Sequence, residues 1–190
     1  MFSFARNLFQ SMSIKSIVVF CGSKKGSKPL FVQHAKELGK IFIQYHITLI
    51  YGGGSTGIMG AIADTVMDNG GKVIGIIPKL LVDWEHQHEN ITELIVVDDM
   101  HTRKKKLYEL CDAAVVLPGG LGTLDELFEM MTWNQLSIHN KPIFIINSEG
   151  FYKHLIAHMQ SLEKNEFLYD KLQDRITILD NPAQLNQYLL

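Results

Sequence analysis

The sequence predicts an α/β fold: a Rossmann-like, doubly wound parallel sheet with helices on both faces, forming a single domain. Two observations carry this. Short apolar runs alternate with stretches of helical periodicity from residue 14 to the end of the chain. The runs are apolar throughout rather than at every second position, as strands buried on both faces must be. Regular alternation of such strands with helices is the signature of a doubly wound sheet, whose ligands sit at the carboxyl ends of the strands.

The elements follow in order. IKSIVVFCGS (14–23) reads as a strand closed by a glycine turn, and KPLFVQHAKELGKIFIQY (28–45) as its helix. ITLIYGGG (47–54) is the second strand, and GIMGAIADTVMDNGG (57–71) a helix with a glycine C-cap. KVIGIIP (72–78) is the third strand, and its proline opens an irregular stretch from Lys79 to Asn90. TELIVVDD (92–99) and MHTRKKKLYELCD (100–112) form the fourth strand–helix pair, AAVVLPGG (113–120) and TLDELFEMMTWNQLSI (123–138) the fifth. KPIFIIN (141–147) precedes a helix over 149–163, and RITILDNPAQLNQYLL (175–190) closes with a strand and a capped helix.

Composition removes several classes of function. With 190 residues, 46% of them hydrophobic and 20% charged, the chain has the make-up of one ordinary globular domain, 14–190. A net charge of -2 gives no general electrostatic case for nucleic acid. No apolar stretch approaches the roughly 20 residues of a membrane helix. Cys21 and Cys111 border apolar runs and read as small buried hydrophobes, not as a disulfide framework. Residues 1–13 lack the long apolar block and cleavage site of a signal peptide, and read as an N-terminal extension on a cytoplasmic protein.

Four features fall at carboxyl ends of strands: Gly22-Ser23, Gly52 to Gly60, Asp99 to Lys104, and Gly119 to Glu126. YGGGSTGIMG (51–60) resembles a dinucleotide fingerprint. It follows the second strand, however, and the next strand ends in Pro78-Lys79 without an acidic ribose ligand. Phosphate contact through Gly53 and Gly54 competes there with tight turn packing alone. In LPGGLGT (117–123), Pro118, Gly119, Gly120 and Gly122 bare the backbone amides and Thr123 adds a hydroxyl, which together make an anion site. Thr123 stands where a triphosphate-binding loop would need lysine.

Glu126 admits two readings. Thr123-x-x-Glu126 fits a capping box, with the carboxylate turned back to the cap amide and Asp125 beside it at the favourable helix end. Alternatively, Glu126 serves chemistry beside a bound phosphate. DDMHTRKKK (98–106) favours the second reading, because Arg103 and Lys104 oppose the dipole in the first turn of their helix, where an anionic ligand would want them. Arg103 and Glu126 are then expected at adjacent strand ends, around one pocket.

These stretches resemble the LONELY GUY family. PGGLGTLDE (118–126) matches its proline-glycine-glycine signature, MHTRK (100–104) its second motif, YGGGSTGIMG its glycine turn and VVFCGS (18–23) its first strand, in order, over about residues 14–185. The resemblance implies a cytokinin riboside 5'-monophosphate phosphoribohydrolase: hydrolysis of the N-glycosidic bond of AMP-like nucleotides to base and ribose 5-phosphate, by a homodimer without cofactor or metal. Lysine decarboxylation, an older label in the family, normally needs a pyridoxal-bearing lysine, which no stretch here presents.

Carried over by position, the resemblance places the catalytic pair on Arg103 and Glu126. It places substrate contacts on Glu85, Lys104, Gly120, Leu121, Gly122, Thr123, Leu124, Asp125 and Thr132, to which the strand-end reading adds Gly119, Ser23, Gly53 and Gly54. The match loosens in VDWEHQHEN (82–90), where Trp84 could wall off the base. His86 and His88 there read as solvated rather than as metal ligands. Two rivals stay open: a nucleotide-binding module without catalysis, which would not need Arg103 and Glu126 together, and a nucleosidase for nucleoside monophosphates in general.

Overall fold

The computed structural model describes residues 14–82 and 87–189; the N-terminal extension expected over 1–13 lies outside them, as do Trp84, Glu85 and His86. Seven strands form one sheet: β1 (Ser16–Phe20), β2 (Thr48–Tyr51), β3 (Val73–Pro78), β4 (Glu93–Val97), β5 (Ala113–Val116), β6 (Ile143–Ile146) and β7 (Thr177–Leu179). Their order is β4-β3-β2-β1-β5-β6-β7, and every pairing is parallel. The chain therefore winds outward from β1 to β4, crosses back to β5 on the other side of β1, and winds outward again. The reversal between β1 and β5 opens a crevice at their carboxyl ends.

Among the described residues, six α-helices accompany the sheet: α1 (Pro29–Gln44), α2 (Gly57–Asp68), the single turn α3 (Lys79–Val82), α4 (Met100–Leu110), α5 (Leu121–Gln135) and α6 (Lys153–Lys164). Alternate strand residues feed two cores, as the two-residue period requires. Ile17, Val19, Leu49 and Tyr51 pack with Phe42 of α1 and Ile62 of α2. Val18, Phe20 and Ile50 pack with Leu107 of α4, Leu127 of α5 and Met159 of α6 on the opposite face. No described helix is long and apolar enough to cross a membrane.

The structure differs from the sequence-based reading in four places. The closing helix is a 3-10 segment, Pro182–Tyr188, and its Asn181 cap makes no side-chain bond. The helix expected from 149 starts at Lys153, because Glu149 and Gly150 adopt left-handed backbone (φ 48° and 72°) and break the turn before it. Helix α5 starts two residues before the expected 123, with Gly120 as its cap. Finally, β4 and β5 are not adjacent, since three strands lie between them. Arg103 still reaches the crevice because α4 is the return crossover, packed over β3, β2 and β1.

Candidate active site

A cleft of about 580 Å³ occupies the crevice, within the range of small-molecule sites. Gly22, Ser23 and Lys24 after β1, Gly52 after β2, Pro118 to Thr123 after β5, and Phe151 after β6 line it, with Arg103 and Glu126 among the lining side chains.

The α5 end supplies the anion-binding part. The first amides of any helix lack an intrahelical partner. At α5, Gly120 is the cap residue and makes no side-chain cap bond. Open space lies where side chains at Gly120 and Gly122 would point, so no neighbouring group crowds this turn where it lines the cleft. A Cβ at Gly119 would overlap Thr123 Oγ1, so glycine there lets the buried threonine hydroxyl stand against the turn.

The α2 end is built differently. The amides of Ile58 and Met59 both donate to the carbonyl of Gly22, at 3.1 and 3.3 Å, so this helix start spends its donors on the β1 loop. Gly53 and Gly54 are buried and do not line the cleft. The Gly53 carbonyl accepts the amide of His88 at 2.9 Å, and Gly54 bridges to Gln87. The glycines of YGGGSTGIMG thus serve mainly packing, and the stretch meets the cleft through Gly52, Ile58 and Met59.

The catalytic candidates meet. With α5 beginning at Leu121, Thr123 is its third residue and Glu126 its sixth. Glu126 is one turn too far along to close a capping box, and that reading falls. Its side chain turns inward and is 12% exposed. Arg103, 6% exposed, places Nη1 3.6 Å from Glu126 Oε1, an ion-pair distance rather than a hydrogen bond. The guanidinium is fixed from behind, its Nε donating to the Ile76 carbonyl at 3.1 Å and its Nη2 lying 3.5 Å from the Gly52 carbonyl.

Other expected contacts lie elsewhere. Lys104 is not in the lining; its ammonium is held by Asp125 Oδ2 at 3.1 Å and Glu129 Oε2 at 3.2 Å. Burial disfavours that charge, but the bonds to Asp125 and Glu129 outweigh it and hold the pKa above the ordinary lysine value. Leu124 of α5 is partly buried against the core, and Thr132 donates to the Phe128 carbonyl on the side of the helix that faces α6. Glu85 lies outside the described residues. His88 is buried rather than solvated: Nδ1 accepts the Asn90 amide, so Nε2 donates to Asp64 at 2.9 Å. Among the described residues, no three histidine, cysteine or acidic side chains gather as a metal site.

Sequence reasoning missed Cys21, Phe31, Met59 and Phe151 in the lining. Cys21 reads as a small buried hydrophobe and Phe31 as part of a periodic helix, and only the topology turns them toward the crevice.

Comparisons with known proteins place this arrangement in a family by sequence and in a fold by structure. A family model described as possible lysine decarboxylase matches residues 59–189. A probable cytokinin riboside 5'-monophosphate phosphoribohydrolase of Oryza sativa is 40% identical over 172 residues, covering 90% of this chain and 75% of its own length. A cytokinin riboside 5'-monophosphate phosphoribohydrolase of Arabidopsis thaliana is 41% identical over 175 residues, covering 92% and 82%. The molybdenum cofactor binding protein of Rippkaea orientalis superposes with a TM-score of 0.69 over 93% of this chain and 96% of its own, at 21% identity, and shares the fold.

Proposed function

This chain belongs to the family of cytokinin riboside 5'-monophosphate phosphoribohydrolases, and from that membership we propose that it hydrolyses the N-glycosidic bond of adenosine 5'-monophosphates, including N6-substituted ones. The observation that carries the proposal is Glu126. Its buried carboxylate is paired with Arg103 in a cleft also lined by a helix start that has no side-chain cap. A capping role, the competing explanation, does not fit its place in the second turn.

The chemistry follows from the arrangement. The 5'-phosphate takes the amides of Gly120 to Thr123 and the Thr123 hydroxyl, and its binding energy fixes the ribose. Glu126, one turn along, faces the sugar. As the C1'–N9 bond breaks, its electron pair leaves with the base and positive charge builds on the ribose, as in glycoside hydrolysis. The carboxylate stabilises that charge and takes a proton from the attacking water, whose oxygen bonds to C1'. The departing base takes a proton from solvent, Glu126 gives its proton up to solvent, and base and ribose 5-phosphate are released. Arg103, fixed by two backbone carbonyls, holds Glu126 and anchors the substrate. None of these steps requires a cofactor.

We further propose that the protein works as a homodimer. Leu80, Val96 and Met100 leave apolar side chains exposed around the carboxyl ends of β3 and β4, at the open edge of the sheet, which supports pairing there.

The test of the reaction is to incubate the protein with AMP, N6-isopentenyl-AMP, adenosine and pyrimidine monophosphates, quantifying free base and ribose 5-phosphate. Equal amounts of both products from the adenosine monophosphates, with adenosine cleaved far more slowly, are expected. Nucleotide binding without base release from any monophosphate would leave a non-catalytic nucleotide module instead.

A further inference from the structure

Helix α4 carries Arg103 and helix α5 carries Glu126, yet the 3.6 Å between their charged atoms is too long for their own bond to set the spacing. The helices are joined one turn further on, through Glu129. Its Oε2 accepts the Tyr108 hydroxyl at 2.7 Å and stands 3.2 Å from Lys104 Nζ. The same tyrosine hydroxyl lies 3.3 Å from the backbone carbonyl of Glu126 itself. Lys104 completes the junction by reaching Asp125. Two α4 side chains spaced by four residues thus grip two α5 side chains spaced by four; the α5 pair brackets Glu126, and the α4 pair begins at the residue after Arg103.

The surroundings make this junction stiff. Tyr108 is 1% exposed and meets Trp133 of α5 edge-on, ring centroids 5.0 Å apart, and Phe20 of β1 at 6.1 Å. Burial, reinforced by Glu129, pushes the phenol pKa far above its ordinary value, so it stays a hydrogen-bond donor at any working pH. Hydrogen bonds to a charged acceptor are the stronger kind, and inside a low-dielectric contact they constrain geometry tightly.

The geometry points to Glu129 as a positioning residue for the reaction: with Tyr108 and Lys104 it sets the register of α4 against α5, and so the alignment of Arg103 with Glu126. This rests on the phosphoribohydrolase reading above. It also assigns the Lys104 ammonium to the helix junction rather than to the substrate phosphate.

The test is the kinetics of AMP cleavage by wild type, Glu129→Gln, Tyr108→Phe and the double variant, with thermal unfolding measured on each. Glu129→Gln retains an acceptor for the tyrosine and loses the charge; Tyr108→Phe does the converse. A loosened pair loses transition-state alignment before it loses substrate, so kcat is expected to fall on the order of tenfold in each single variant. KM is expected to stay within about twofold, and the double variant to lose less than the product of the two effects. A raised KM at unchanged kcat in Glu129→Gln overturns the inference in favour of substrate binding. A lowered Tm with both constants unchanged overturns it in favour of a purely structural bond. Wild type that releases no base overturns the hydrolase reading and this one with it; an active wild type with an unaltered Glu129→Gln overturns this one alone.

Discussion

At Gly52 the chain leaves β2 directly behind Arg103, and a Cβ there would overlap Nη2 of the guanidinium. The absence of a side chain is what lets Arg103 lie flat against the strand ends and face Glu126. Gly52→Ala is therefore expected to lower kcat/KM on the order of 10²-fold, since small misplacements of catalytic groups have effects of that size. Steady-state kinetics on a variant whose circular dichroism matches wild type checks it; unchanged kinetics would mean that Arg103 is not positioned from this side. The residue scale is also where the sequence was most ambiguous. Thr123-x-x-Glu126 is a valid capping box on paper, and which reading holds depends on whether the helix begins at 121 or 123. That choice is made by the turn at Gly120, which is shaped by the contact of Gly22 with Pro118 across the crevice (3.1 Å) and is invisible to local spacing. The partners of Lys104 are hidden from local spacing for a related reason. Its opposition to the helix dipole is real, but the anions that answer it are Asp125 and Glu129 of the next helix.

One wall of the cleft depends on a contact between elements remote in sequence. Phe31 of α1 and Phe151 both line the cleft, with ring centroids 5.4 Å apart. Three residues beyond Phe31, His34 Nδ1 lies 2.7 Å from Ser148 Oγ, and Lys28 pairs with Glu149 at 2.6 Å. Burial lowers the His34 pKa below its ordinary 6.5, against weaker opposing effects of Glu37 and Glu149. Partial burial, with Lys141 nearby, lowers His139 in the same sense. The folded protein thus binds protons at these sites less readily than the unfolded chain. Their contribution to stability is complete above pH 6.5 and is lost as pH falls below it. Thermal unfolding between pH 7.5 and 5.5 should show Tm falling with pH, and His34→Gln should flatten that slope even though it lowers Tm at pH 7.5. An equal slope in the variant would remove His34 from the account. The strands and five longer helices were legible in the sequence because burial on both faces writes them as apolar runs and helical periods. This wall was not: Phe31 lies in a periodic helix and reads as ordinary core.

For the whole molecule, the doubly wound sheet follows from alternation alone, but the strand order does not. Sequence reasoning placed Arg103 and Glu126 on neighbouring strands, and the fold brings them together across three intervening strands because α4 crosses the sheet between them. The site therefore exists only when the crossover is complete. The same topology leaves β4 at the sheet edge with Leu80, Val96 and Met100 exposed nearby. If two copies pair there, light scattering should give twice the chain mass, and Val96→Lys should shift it toward one; a monomeric wild type would contradict that pairing. The most direct test of the central claim is the rate of free base release from saturating AMP by Glu126→Gln beside wild type, with AMP binding measured on both. The account predicts a rate lower on the order of 10²-fold or more with binding retained. Near-normal turnover in the variant would show that Glu126 does not carry the reaction.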